Sequence, residues 1–198
     1  MFELISGNDN AIVVLHEIYG VNDHIKRICK LFHKSGFDVY CPDFLNREPF
    51  TYGEHEEAYN YFKKHCGFNI SKIIQLTADL RPSYKKIIIV GFSVGGTLAW
   101  ISASKTICDG VVSFYGSRIR DYTEHEPDCP VLVIQDKYEE AYDPVILQKK
   151  LSEYSMVSFR LFDGRHGFCD VFSQAFNQIE SVKALVLSHE FISNIIEN

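Results

Sequence analysis

The sequence predicts an α/β fold, with a mostly parallel central sheet and helices on both faces. Three observations carry this. Short, β-branched apolar runs such as Ala11–Leu15, Ile87–Val90 and Val131–Ile134 read as strands buried on both sides. Segments with helical spacing alternate with these runs through the whole chain, as crossover connections between parallel strands require. Finally, 198 residues, 46% hydrophobic and 23% charged, suffice for a sizeable core. No repeat, low-complexity tract or linker interrupts them, so residues 1–198 are expected to form one domain.

Taken in order, Phe2–Ser6 is expected as a short edge strand, followed by a turn over Gly7–Asn10. Ala11–Leu15 is the first buried strand. Asn22 or Asp23 can cap a helix to about Ser35, with Ile25, Ile28, Cys29 and Phe32 on one face and Gly36 ending it. Phe37–Cys41 is a strand stopped by Pro42, and Asp43–Gly53 is a loop. Glu54–Leu80 reads as helical with a break near Gly67–Asn69, and Pro82 ends it. After the strand ending at Val90, a helix is expected from Thr97 to about Ser104. Gly110–Tyr115 is a further strand, while Arg118–Pro130 is polar and carries no clear helix. Val131–Gln135 is a strand leading into an acidic loop, Asp136–Asp143. Pro144 suits the first turn of a helix to about Tyr154, and Met156–Phe162 is the last strand. From about Val171 the chain reads as helical to its end, with Phe172, Phe176, Ile179, Val182 and Val186 forming the buried stripe.

The most informative stretch is Gly91-Phe92-Ser93-Val94-Gly95, a G-x-S-x-G pattern between a buried strand and a helix. A turn this sharp forces its central residue into strained angles and leaves almost no room for side chains two residues to either side. Ser93 Oγ would stand beyond the carboxyl edge of the sheet, at a helix amino terminus that favours developing negative charge. A phosphate-binding loop is the weaker reading, because no Lys-Ser/Thr follows and the G-x-G-x-x-G spacing is absent.

A serine hydroxyl needs a base within hydrogen-bond reach, and the base needs an orienting acid. Ser93, the acidic loop after Gln135 and His166 follow one another in the order serine, acid, histidine, each beyond the end of a strand. His166 is the only histidine between the last strand and the final helix, flanked by Gly164 and Gly167. His24, His33, His65, His125 and His189 fall on helices or polar loops and are expected at the surface. None forms a metal-ligand spacing, so no metal is expected.

Four stretches together resemble the dienelactone hydrolase family of α/β-hydrolases. They are His16-Glu17-Ile18-Tyr19-Gly20-Val21-Asn22, Tyr40-Cys41-Pro42-Asp43, Gly91-Phe92-Ser93-Val94-Gly95-Gly96 and Gly164-Arg165-His166-Gly167-Phe168. The first is the most family-specific; the elbow is shared by many hydrolases. The resemblance implies an α/β-hydrolase fold and a serine hydrolase of small carboxylic esters, lactones or thioesters. It implies Ile18 and Val94 N–H groups as an oxyanion hole, Glu17 beside the nucleophile, and Tyr59 in the substrate pocket. Three departures stand out. Ser93 replaces the family cysteine, so His166 is expected to act as the base and Glu17 to position substrate or water. The family's acid position falls on Glu139, with Asp136 and Glu140 as alternatives. His55 stands where an arginine would bind a substrate carboxylate, which argues against an acidic lactone.

A net charge of −6 with no basic cluster argues against a nucleic-acid surface. The amino terminus lacks the features of a signal peptide, and no apolar run could span a bilayer. Six scattered cysteines without a C-x-x-C pair suit reduced thiols in a cytoplasmic protein. The expected partner is a small-molecule ester or lactone, with no cofactor, nucleic acid or membrane. Two other readings share the residues: a non-catalytic hydrolase-fold binding or scaffold protein, and a peptidase or lysophospholipase-type hydrolase.

Overall fold

The computed structural model describes residues 1–105 and 107–197. Seven strands form one sheet in the order β1-β3-β2-β4-β5-β6-β7, and every neighbouring pair is parallel except β1 with β3. The strands are β1 (Phe2–Leu4), β2 (Asn10–Leu15), β3 (Asp38–Cys41), β4 (Lys86–Phe92), β5 (Gly110–Phe114), β6 (Val131–Asp136) and β7 (Val157–Phe162). The helices are α1 (Asp23–Lys34), α2 (His55–His65), α3 (Ser71–Leu80), α4 (Val94–Ser102), α5 (Pro144–Leu151) and α6 (Gln178–Glu197).

Strand pleating sorts the apolar runs into two cores, one on each face of the sheet. Ala11, Val13, Leu15, Ile87 and Ile89 point to the face covered by α2, α3, α4 and α5. Ile12, Val14, Ile88 and Val90 point to the face covered by α1 and α6. The strands read as continuous hydrophobic runs because both faces are buried. As expected, Asn22 caps α1 by accepting from Ile25 N at 3.0 Å, and Ile25, Ile28, Cys29 and Phe32 are buried beneath it. β5 and β6 are joined without a full helix, through a short 3-10 turn over Ser117–Asp121.

The carboxyl-terminal segment differs from expectation. Residues Val171 to Asn177 are not helical. Asp170 Oδ1 accepts from Phe172 N, and Ser173 Oγ accepts from Ala175 N, so side chains take amides that a helix would use. The helix begins only at Gln178, where Asn177 Oδ1 accepts from Glu180 N at 3.2 Å. Its expected buried stripe is also reversed: Phe172, Ile179, Val182 and Val186 are each more than half exposed. The buried residues are instead Glu180, at the first turn, and Ser181, Ala184, Ser188 and Ile192. Small residues let α6 lie close to the sheet, so close that a Cβ on Gly110 would fall 2.4 Å from Ile195 Cδ1.

The chain leaves β2 for β3 on one side and returns to place β4 on the other, so β2 and β4 are neighbours. Such a reversal opens a crevice beyond the carboxyl ends of the two strands. Glu17 and Ile18 follow β2 and Ser93 follows β4, so both segments open onto it.

Candidate active site

Ser93 sits between β4 and α4 with φ 54° and ψ −115°, a conformation that side chains rarely adopt. The neighbouring glycines make it attainable. A Cβ at Gly91 would lie 2.0 Å from Gly95 O, and one at Gly95 would lie 2.3 Å from Leu15 O. The helix begins at Val94, not at Thr97 as the sequence pattern suggested, because the elbow passes directly from strand to helix. Ser93 N donates to Phe114 O at 2.9 Å, tying the bend to β5. Val94 opens α4, so its amide has no acceptor within the helix.

Ser93 Oγ lies 2.9 Å from His166 Nε2. His166 Nδ1 lies 3.3 Å from Glu139 Oε2, while Glu139 Oε1 accepts from Ala141 N at 2.9 Å, which fixes the carboxylate's direction. A proton on Nδ1, facing Glu139, would leave Nε2 to accept from the serine hydroxyl. Of the two alternatives, Glu140 is highly exposed and pairs with Arg165 at 3.3 Å. Asp136 closes β6 rather than opening a loop. It is fully buried, and it stands within 4.8 Å of Glu139 and His166 ligand atoms. Its Oδ1 accepts from Gln135 Nε2 at 2.6 Å. Among the described residues its Oδ2, like Glu139 Oε2, makes no hydrogen bond of good geometry, the Glu139 contact to His166 being an ion-pair approach.

These surroundings set the protonation chemistry. Burial would lower His166, but Glu139, Asp136 and Glu17 outweigh it and raise the imidazole above its ordinary value. Burial pushes Glu139 up, yet His166, Ala141 N–H and Arg120 hold it below the usual carboxylate range. Asp136 lacks enough of such help, and burial lifts it to about 6. Glu17 is 4% exposed and rises to about 7, through burial first and then the nearby negative charge of Asp170.

Glu17 is presented by a histidine with a structural task. His16 is fully buried, with Nδ1 2.6 Å from Glu17 O and Nε2 accepting from Phe44 N at 3.0 Å. Those partners require the neutral Nδ1–H tautomer, in keeping with the lowering of its pKa by burial. Tyr115, at φ 40°, places its ring 5.1 Å from the His166 ring and its phenol toward Glu17.

A cavity of about 290 Å³ joins Glu17, Ile18, Ser93 and His166 with Tyr19, Tyr52, His55 and Asp170. Tyr59 is not brought there. Its ring, on α2, carries Lys63 Nζ at 4.6 Å, and the cavity's phenols are those of Tyr19 and Tyr52. His55 does line the cavity, bonded through Nδ1 to Tyr19 Oη at 2.9 Å. His24, expected at the surface, is fully buried. It packs edge-on against Phe92 with centroids 5.4 Å apart and reaches Asp170 Oδ1 at 3.5 Å, and burial lowers its pKa to about 4. Asp170 was legible only as a residue four places after His166 in the same loop. Nothing in the local pattern announces Tyr52 or Tyr115.

A seven-stranded, mostly parallel sheet with a strained serine elbow facing a late histidine defines an α/β-hydrolase. The chain belongs to the dienelactone hydrolase family, whose model matches residues 5–189. Family membership makes it a hydrolase acting on ester bonds. It is 38% identical over 177 residues to the uncharacterized protein YczH of Bacillus subtilis, covering 88% of each chain. It is 27% identical over 129 residues to a carboxymethylenebutenolidase of Pseudomonas putida, covering 60% of this chain and 55% of the relative. Among solved structures, a dienelactone hydrolase-like promiscuous phosphotriesterase from metagenomic libraries superposes with a TM-score of 0.74 at 17% identity. That alignment covers 96% of this chain and 88% of the other. No described helix is long and apolar enough to cross a membrane.

Proposed function

We propose that the protein cleaves small carboxylic esters, lactones or thioesters through an acyl-enzyme on Ser93. His166 takes the serine proton as Oγ attacks the carbonyl, then returns it to the leaving group. Glu139 holds the Nδ1–H tautomer and favours the imidazolium. The amides of Ile18 and Val94 receive the oxyanion, and a donor at such a position is worth about 3–4 kcal/mol in the transition state. Water repeats the cycle on the acyl-enzyme and releases the acid. Glu17 positions substrate or water, since a carboxylate has little power to ionise a hydroxyl.

The observation that carries this reading is the 2.9 Å approach of Ser93 Oγ to His166 Nε2 from a strained bend. The cavity's modest volume favours a small molecule over a peptide or a lysophospholipid. A carboxylate 3.3 Å from Nδ1 weakens the scaffold alternative, which would leave the imidazole without an acid. We further take residues 1–198 as one domain and place it in the cytoplasm, a reading supported by six unpaired cysteines. A fluorophosphonate probe should label Ser93 in the purified protein. Labelling and turnover of p-nitrophenyl acetate should both vanish in Ser93→Ala without loss of thermal stability. Absence of labelling at Ser93 in the folded protein would overturn the proposal.

A further inference from the structure

Apart from Ser93 and His166, the lining of the cavity is largely anionic and aromatic. Glu17 and Asp170 both line it, at 4% and 1% exposure, and the negative charge of Asp170 acts on Glu17. Asp170 accepts from Tyr52 Oη at 2.5 Å and from Phe172 N at 2.9 Å. Its histidine neighbour, His24, is held neutral by burial and supplies no charge. Among the described residues, neither carboxylate has a lysine or arginine partner, and no lysine or arginine lines the cavity. Its basic side chains are His166, whose field reaches Glu17 but which is engaged with Ser93 and Glu139, and His55, engaged with Tyr19. The Tyr19 and Tyr52 rings lie beside these acids with centroids 4.8 Å apart.

Buried carboxylates without a counter-ion are unfavourable unless something positive answers them. Aromatic faces next to carboxylates are what an ammonium group prefers, because ring quadrupoles and anions attract it together. A substrate carboxylate in the same place would meet like charge. Resting on the ester-hydrolase reading, we infer that the cavity recognises a cationic group on its substrate. Its preferred esters carry an ammonium, held by the Tyr19–Tyr52 pair and the Glu17 and Asp170 carboxylates while the carbonyl faces Ser93. The polarity is opposite to that of a site built around an arginine.

The test compares three acetate esters of similar size in low-salt buffer at pH 8: acetylcholine, its neutral isostere 3,3-dimethylbutyl acetate, and anionic 3-acetoxypropanoate. The cationic ester should exceed the neutral one in kcat/KM by about tenfold, with the anionic ester lower again by a similar factor. Asp170→Asn, whose amide oxygen can still accept from Phe172 N, should reduce the cationic-to-neutral ratio severalfold, Glu17 and the tyrosine rings keeping the remainder. Calorimetry on the Ser93→Ala variant keeps recognition separate from chemistry. Choline should bind it more tightly than 3,3-dimethylbutanol. Equal kcat/KM for the cationic and neutral esters, with Ser93 reactive, would overturn this inference and leave the hydrolase reading intact. Loss of all turnover and labelling would overturn the hydrolase reading, and choline binding alone would then uphold or overturn the cation site.

Discussion

His166 stands between two groups of carboxylates with contrasting surroundings. On the β6 side, Glu139 is held below its ordinary pKa because the imidazole, an amide and Arg120 all face it. On the β2 side, Glu17 is buried beside Asp170, and its pKa climbs to about 7 although the Tyr115 phenol and His166 both favour its ionised form. Both are glutamates within one site. Burial pushes both carboxylates up, Glu17 the more because it is the more deeply buried, and only at Glu139 do the neighbouring donors and charges outweigh it. Glu139 is therefore suited to remain charged and orient the base. Glu17 is suited to exchange a proton, or to answer a charge, near neutral pH.

The largest test of this contrast removes the two acids on the β6 side separately. Glu139→Gln should lower kcat by roughly 10²–10⁴-fold by losing the required tautomer. Asp136→Asn should cost about tenfold or less, because it influences the imidazole only through its field. Stopped-flow or steady-state ester hydrolysis reads both, and a larger loss for Asp136→Asn would reverse the assignment. The pH profile gives the sign. His166 must be neutral to act as base, and its acidic neighbours raise its pKa, so the acid limb of activity should lie above about 6.5. Glu139→Gln removes one of those raising influences and should move the limb to lower pH.

A second test addresses the β2 side through stability. Glu17 binds its proton more tightly when folded, with a pKa of about 7 against an ordinary 4.5. Folding stability is therefore greatest below pH 4.5 for this group and declines as pH rises to about 7. Glu17→Gln should relieve that penalty, raising stability by about 3 kcal/mol at pH 8 and by nearly nothing at pH 4. Denaturant titrations at the two pH values check it, and a stabilisation equal at both would remove the titration argument.

The smallest expected effect sharpens the boundary of the cavity. Tyr59→Phe should change KM less than about twofold, since the ring is turned toward Lys63. Tyr52→Phe removes a hydroxyl bonded to Asp170 and should raise KM severalfold. Matched KM values for the two variants would place the substrate elsewhere.

Much was legible locally. The nucleophile turn could be read because its chemistry is steric: only glycine fits where a Cβ would strike Gly95 O or Leu15 O. The buried runs gave the strands, and Asn22 gave the start of α1. The acid beside His166 could be assigned from the sequence only by resemblance, to Glu139, with Asp136 and Glu140 left open. The choice depends on how one short loop turns its side chains, with Glu139 inward and Glu140 outward to Arg165. Residues from distant elements escaped local reading. Tyr52 and Asp170 lie 118 positions apart, and Tyr115 comes to the side of Glu17 only because β5 and β2 flank β4. The α6 stripe misled because apolar periodicity records amphipathicity, while the close approach of the helix selected the small-residue face for burial.

The sequence by itself determined the alternation of strands and helices, the strained serine and the late histidine, because hydrophobic period and glycine sterics act over a few residues. Tertiary structure alone decided which tyrosines line the cavity, how the short loop turns Glu139 inward and Glu140 outward, and how the buried acids titrate. Those properties are sums of fields and contacts among groups that only the sheet order brings together.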